Sequence, residues 1–488
     1  LKILDCREQI INKLREENIL YDQQEIVHNV STHERCGTAI EIITKPQWFV
    51  KLLEQKQAIY DAGLKVKWHP QHMQKRFLNW VEGLKWDWCI SRQRFFGIPF
   101  PVWYCKDCGE VIVADEDMLP VDPTVTQPKG AFKCGCREFI AETDVMDTWA
   151  TSSLTPQIAC DLITNKGLDE NYEPMDLRPN AHDNIRVWDF YTIAKSLLHF
   201  NKLPWKNVMI SGWGLSATGA KLSKSKSNGG TLSPMQTYEK YSADVTRYWA
   251  SNASLGKDVY ILEEEFNNGS KLMQKIWNAS RFVLPFLEGY TPREVELLPL
   301  DSWIIECYKQ TYKKFMKNMD KYEMGLALNE LEQLFWNFCD NYIEIAKNRL
   351  YKPEIYGEKA KESAQFASRY VLLGMLKLFS IYMPHITEEI YQDAFAEAEG
   401  KESIHNSCYL VPAEQVDIKL IENGNMICDI IAQIRGYKSQ NNLSLKEEVA
   451  CVEVMDDEFI KACELDLKAV CNIKEIKYSQ TDSVKING

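Results

Sequence analysis

Gly219-Ala220-Lys221-Leu222-Ser223-Lys224-Ser225-Lys226-Ser227-Asn228-Gly229 is the stretch on which the reading of this chain turns. Lysines and serines packed between glycines put mobile cationic charge beside hydroxyl and backbone donors. Such a loop suits a polyphosphate whose negative charge is shifting onto a leaving group. Read alone, it is equally a basic surface loop. Just upstream, Val208-Met209-Ile210 reads as a short buried strand, and across residues 141–230 helical patterns alternate with strands of that kind. That alternation predicts a parallel α/β sheet.

Working outward, residues 61–104 alternate aromatic and polar positions and end in the proline-punctuated Gly97-Ile98-Pro99-Phe100-Pro101-Val102-Trp103, a strand and turn pattern. Residues 105–140 form an insertion carrying Cys105-Lys106-Asp107-Cys108, then Gly109, and later Cys134-Gly135-Cys136. Two close cysteine pairs separated by a loop supply four thiolates for a tetrahedral zinc, and four such ligands leave no open position, so the expected role is structural. His33 and Cys36 have the spacing of half a second metal site, but a turn with a polar histidine is the better account of them.

Residues 1–60 hold a helical pattern (Ile3, Ile10, Ile11, Leu14), a predicted strand over 39–43 and then Gln47-Trp48-Phe49-Val50, as expected of the tail of another domain. From about 262 to 400 the periodicity is helical. Leu328, Leu331, Phe335, Phe338, Tyr342 and Ile345 fall on one stripe, with Lys347 and Arg349 near the helix end, where cations are favoured. We place a connector at 231–280, an all-α bundle at 281–420 with an irregular linker over 400–425, and a small C-terminal α/β module at 421–488. In that module a helix over 426–438 precedes strands at 449–454 and 473–478, with a helix over 457–469 between them.

The 488 residues are 45% hydrophobic and 26% charged, with a net charge of −12 and a pI near 5.4. Several domains are expected, and indiscriminate binding to nucleic acid through bulk charge is excluded. A local basic surface remains open at 221–226 and 347–349, although a solvated face is the default for any single run. No apolar stretch is long enough for a membrane span, and fifteen cysteines, four of them in a ligand pattern, fit a reducing cytoplasm. The first residue is Leu1, and the chain opens directly on a helical pattern, so a fragment of a longer protein is expected.

Lys221-Leu222-Ser223-Lys224-Ser225 resembles the KMSKS signature of class I aminoacyl-tRNA synthetases, with Leu222 in place of methionine. Further segments agree in order along nearly the whole chain: Asp87 to Pro99 (DWCISRQRFFGIP), Asp144 to Trp149 (DVMDTW), Phe338 to Glu344 (FCDNYIE) and Met383 to Glu389 (MPHITEE). Within the family, the Ile90-Ser91-Arg92-Gln93 and Phe338 to Glu344 segments are most similar to valyl enzymes, with isoleucyl enzymes next. The resemblance implies a Rossmann-like α/β nucleotide-binding portion with a zinc-ribbon insertion, followed by an all-α anticodon-binding bundle. The implied chemistry is attack of the valine carboxylate on the α-phosphate of ATP, with Mg2+, followed by transfer to tRNA. The implied partners are tRNA, valine and ATP, with neither DNA nor a membrane.

Carried over residue by residue, the resemblance makes Lys221 and Lys224 the charges that stabilise departing pyrophosphate. Ser223 and Ser225 belong to the same ATP loop. Asp183, in Ala181-His182-Asp183-Asn184, would meet the ATP ribose or the amino acid, with a helix cap as its rival role, and Asn184 stands beside it. Trp149 resembles a wall of the amino-acid pocket, with a plain core position as its rival. The sequence departs from the family at Ser227, where glycine is usual, at Ala181, again usually glycine, and at Asn184, where valyl enzymes carry an apolar residue. A polar amide beside an aliphatic substrate leaves hydrogen-bonding groups to be satisfied. Nothing resembles the His-Ile-Gly-His signature of the first half of such an active site, and the bulk of an editing domain is missing, so the chain is expected to be catalytically incomplete. A non-catalytic tRNA-binding relative of a synthetase is the reading from another class.

Overall fold

The structure, a computed structural model, describes residues 3–33, 36–130, 135, 137–164, 173–222, 233–480 and 484–487. It divides into two units, Leu1–Trp48 and Phe49–Gly488. In the first, the expected helix forms as Ile3–Glu16 and buries none of its residues. The strand predicted over 39–43 does not form. A single bridge, Thr32 with Ala39, is the pairing among the described residues here, and one bridge cannot sustain a strand. His33 and Cys36 close a turn: Gly37 N–H donates to the His33 carbonyl, and the Cys36 sulfur lies 3.1 Å from Thr38 Oγ1 and 3.2 Å from His33 Nδ1. Hydrogen bonds from Thr38 first, then from His33, pull the Cys36 thiol down to about 7.

The second unit starts twelve residues before the boundary expected at 60/61. Phe49–Val50 pairs antiparallel with Trp88–Cys89, and the helix Lys56–Lys65 buries Ile59 and Ala62 beside the helix Met73–Glu82. Residues 49–60 therefore belong to the α/β portion. Its centre is a three-stranded, all-parallel sheet in the order Lys67–His69, Trp205–Ser211, Met175–Ala181. The middle strand extends the predicted Val208–Ile210 in both directions, and Trp205, Val208 and Ile210 are fully buried. Burial on both faces is what a parallel sheet covered by helices demands. Here the cover includes Ile193 and Ala194 of the helix Trp188–Phe200 and Phe77 of the helix Met73–Glu82.

The insertion is a three-stranded antiparallel ribbon with Val102–Cys105 between Val111–Val113 and Phe139–Ala141. Downstream, the helices Glu263–Val283, Pro299–Met319, Met324–Asn337, Ile343–Tyr351, Glu358–Phe379 and Pro384–Ala394 share one core. All six residues of the predicted stripe lie in it at 1% exposure or less, although the chain winds through a π-helical turn at Phe338–Tyr342 on the way. At about 1.5–3 kcal/mol for each large apolar side chain fully buried, that stripe is a principal reason the bundle holds.

Two expectations for the bundle are corrected. The final long helix begins at Ile418 rather than 426, because Asp417 caps it by accepting a hydrogen bond from Leu420 N–H at 2.9 Å. Its Ile427, Ile431 and Ile434 join the bundle core, and Trp303 donates to Asn425 at 3.2 Å, so this helix belongs to the bundle rather than to a separate module after a linker. Arg349, taken as part of a basic surface run, is buried and paired with Asp301 and Asp466, while Lys347 pairs with Glu344. The C-terminal module has the predicted strands as Val449–Met455 and Ile473–Ser479, parallel to one another, with Lys485–Asn487 added antiparallel. The single helix predicted between them is broken into Glu458–Ala462 and Glu464–Cys471.

Candidate active site at the ends of the parallel strands

In an open parallel sheet, ligands bind beyond the carboxyl ends of the strands, where loops are free to converge. The strand Met175–Ala181 runs directly into the 3-10 turn His182–Arg186, which carries Asp183 and Asn184. The central strand ends at Ser211 and passes through Gly212 and Trp213 to Gly214–Leu215 and the bridge Leu215–Lys221. Two short segments from neighbouring strands thus face one another.

Lys221 Nζ donates to Asp183 Oδ2 at 3.0 Å and stands 3.7 Å from the centre of the Trp213 ring. Burial pushes the Asp183 carboxyl up, but hydrogen bonds from Lys221 and Trp213 and the lysine charge outweigh it, leaving the group below its ordinary range. Asp183 is therefore not a helix cap: no side chain caps this 3-10 turn, and the carboxylate is spent on Lys221. Both side chains are about half exposed, 48% and 39%, and an ion pair that open is worth no more than about 1 kcal/mol. An incoming phosphate can take the lysine from the aspartate at little cost.

A second pair supports the loop from beneath. Asp258 Oδ1 accepts from the Trp213 backbone N–H at 2.8 Å and lies 3.3 Å from His182 Nε2, whose ring sits 4.3 Å from the Trp213 indole. Gly212 makes this approach possible, since a Cβ there would fall 2.0 Å from the Lys257 carbonyl oxygen.

The polar Asn184 that departs from the family pattern has its own partner. Its amide donates to Asn180 Oδ1 at 3.2 Å, and Asn180 in turn donates to Asp189 Oδ1 at 2.5 Å. Asp189 is wholly buried. Desolvation raises its pKa to about 7 against the opposing effects of Asn180 and Arg178, whose guanidinium lies 3.8 Å over the Trp188 ring. The Asn184 hydrogen-bonding capacity is thus partly met inside the protein.

Trp149 lies on the short helix Thr148–Ser152, partly buried against the core of the parallel sheet, where the preceding Asp147 is held 3.3 Å from Arg92. That helix is fixed to Trp188–Phe200 by Lys195, which donates to the Ala150 carbonyl at 2.8 Å. Among the described residues no hydrogen bond, ion pair or ring contact joins Trp149 to Asp183 or Lys221. Ser223, Lys224 and Ser225 lie outside the described residues, as do Cys134 and Cys136.

Of the thiols expected to hold metal, Cys105 is buried at the end of its strand and Cys108 is exposed in the turn that follows. The turn is closed by Gly109 N–H donating to the Cys105 carbonyl and Cys105 N–H donating to Glu110, with Gly109 at φ +73°. Phe139, three residues after Cys136, is in register with Cys105. Among the described residues no group of three or more His, Cys, Asp or Glu side chains is placed to hold a metal ion.

Residues 6–262 match the family described as tRNA synthetases class I (I, L, M and V), and residues 301–454 match the anticodon-binding domain of tRNA ligase. The chain belongs to the class I tRNA synthetases, with their catalytic type of α/β fold and an anticodon-binding helical domain. Among its relatives are the valine–tRNA ligases of Rickettsia felis, 40% identical over 508 residues, and of Wolbachia pipientis wMel, 40% identical over 499. These alignments take in 100% and 99% of this chain but only 58% and 56% of the relatives, so the chain spans a little over half their length. The Mycobacterium tuberculosis methionyl-tRNA synthetase in complex with methionyl-adenylate has a similar fold, with a TM-score of 0.58 at 17% identity over 80% of this chain and 72% of that one.

No helix among the described residues is long and apolar enough to cross a membrane. Trp213, His182–Asp258 and the Asn180–Asp189 pair were not legible as site residues, because each depends on contacts between separate strand ends.

Proposed function

We propose that this chain is part of a valine–tRNA ligase and supplies the half of its active site that grips the pyrophosphate of ATP. The observation that carries the reading is the Lys221–Asp183 pair, formed between the segments that follow two adjacent parallel strands. A cation there meets the negative charge that develops on pyrophosphate as the valine carboxylate attacks the α-phosphate, and an electrostatic contact of this kind counts most in the transition state. Lys224, with Ser223 and Ser225, acts on the same phosphates, whose charge bound Mg2+ would partly neutralise, and Asp183 meets the ribose or the valine ammonium once Lys221 turns to phosphate. Trp149 contributes an apolar wall for the valine side chain. Identity of 40% to valine–tRNA ligases along the chain favours valine over isoleucine, and the internal partner of Asn184 weakens the objection to an aliphatic substrate.

In the insertion, Cys105, Cys108, Cys134 and Cys136 hold one structural zinc that ties the ribbon ends together. The helical domain holds tRNA. The test is ATP–pyrophosphate exchange in the full-length protein with valine and with isoleucine. Valine-dependent exchange that collapses in Lys224→Ala is expected; exchange driven by isoleucine, or untouched by that change, overturns the reading. The 488-residue chain alone is expected to give no exchange, because catalysis requires both halves to be positioned together.

A further inference from the structure

Trp149 stands on a helix too short to hold its own place. Thr148–Ser152 has five residues, and so brief a helix is not stable by itself, so its position is set by what grips its ends. At the first end is Asp147, 4% exposed, whose side chain is not spent on a cap. Its backbone N–H donates to the Ile90 carbonyl at 2.7 Å and its Oδ1 lies 3.3 Å from Arg92, which ties this end beside the strand Ser91–Arg92. At the other end the tie is Lys195. Its Nζ donates at 2.8 Å to the Ala150 carbonyl, which also accepts from Ser153 Oγ at 3.2 Å.

Lys195 projects from a rigid anchor. The helix Trp188–Phe200 buries Ile193 and Ala194 fully in the core of the parallel sheet, and only Val187 separates it from the turn His182–Arg186 that carries Asp183. Among the described residues the Lys195–Ala150 bond is the one hydrogen bond between this helix and Thr148–Ser152. Ala150 packs in the same core, but apolar contact has no direction, whereas a hydrogen bond does. Lys195 thus joins Trp149 to the body that carries Asp183.

Holding two helices together does not call for a charge. Lys195 is half-buried, has no carboxylate partner among the described residues, and burial alone pushes its pKa down. Desolvating an ammonium for one carbonyl returns little stability, and an apolar side chain of the same length would pack there without that cost. What the lysine supplies is a fixed place for the carbonyl next to Trp149.

We propose that Lys195 is a positioning residue that sets the width of the amino-acid pocket, by holding Trp149 at a fixed distance from Asp183. The inference rests on the reading of Trp149 as a wall of that pocket. A wall held in place rejects a side chain one methylene larger than valine, and a loose wall yields to it.

The test is ATP–pyrophosphate exchange in the full-length protein with valine and with its larger homologue isoleucine. Lys195→Met keeps the apolar stem and removes the hydrogen bond. It should raise the Michaelis constant for valine with kcat moved far less, and narrow the preference for valine over isoleucine about tenfold, the lower end of what one methylene is worth. Lys195→Arg, which keeps a charged donor, should recover most of the preference. The unfolding midpoint of Lys195→Met should equal or exceed that of the parent, which a merely structural tie would not give. Trp149→Ala should narrow the preference by itself, and Lys195→Met added to it should change nothing further, since the tie then has no wall to hold.

Parent-like preference in Lys195→Met, beside a narrowed one in Trp149→Ala, overturns this inference alone. So does full additivity of the two changes, because Lys195 would then act elsewhere. A lower unfolding midpoint with equal loss of rate for both amino acids makes Lys195 an element of the fold only, and the inference fails. A preference untouched by Trp149→Ala overturns it together with the reading of Trp149 as the wall.

Discussion

Lys221 Nζ reaches Asp183 Oδ2 across two strand ends, 3.0 Å apart in space and 38 residues apart in sequence. The pair stores a cation at the site without committing it. Lys221→Ala in the full-length protein should lower the rate of valine-dependent ATP–pyrophosphate exchange about a hundredfold, the usual cost of one such transition-state contact, and move the Michaelis constant for valine far less. Lys221→Arg, which keeps the charge, should recover part of the rate. Equal loss in both variants would mean that shape rather than charge matters there.

The Asp189 carboxyl predicts an unusual pH response. Its pKa is raised from an ordinary 3.8 to about 7 by burial, so the folded state holds a proton that the unfolded chain releases. The stability this group contributes is full below the unfolded value and is lost as pH rises through the folded one. Between about pH 4 and 7 the native protein should lose stability, by an amount on the order of a few kcal/mol, relative to an Asp189→Asn variant that cannot titrate. Urea unfolding of both proteins at pH 5 and pH 7.5 checks it. A difference between the two that does not change with pH would show Asp189 to be ionised in the fold.

Metal analysis of the purified chain should give about one zinc. Cys108→Ser, which changes an exposed residue in the turn, should lower that content and loosen the ribbon to proteolysis around residues 106–138, while leaving the helical bundle intact. Full zinc in a Cys105→Ser/Cys108→Ser double variant rules out the proposed ligand set.

The parts of this fold that could be read in advance are those where one face of one element decides burial. The stripe from Leu328 to Ile345 and the strands at 449–454 and 473–478 are local patterns, and each formed within a residue or two of expectation. The predicted site was legible only as pieces. Nothing local in Asp183 says that its partner is Lys221 rather than a helix end, and nothing in Trp213 says that a lysine will lie over it. The first two turns of the helix that starts at Ile418 were missed because their signal is one capping aspartate, Asp417, in a polar stretch.

Arg349 is the plainest case of a residue whose meaning is set at a distance. Near a helix end among Lys347 and Lys352 it reads as a solvated cation, yet it is 2% exposed. It binds Asp301 through two nitrogens at 2.5 and 3.0 Å and Asp466 at 3.1 Å, and Asp301 also accepts from Tyr342 and Ser363. The cluster joins three bundle helices to the C-terminal module. Removing only the cation leaves two buried carboxylates facing one another, so Arg349→Met should cost about 3–5 kcal/mol. Replacing the whole ionic set, Arg349→Met with Asp301→Leu and Asp466→Leu, should recover most of that loss, since desolvating three charges consumes much of what their attraction returns. Urea midpoints of the bundle, followed by circular dichroism at 222 nm, decide between the two. A triple variant as unstable as the single one would mean that the network is worth more than the apolar packing that replaces it.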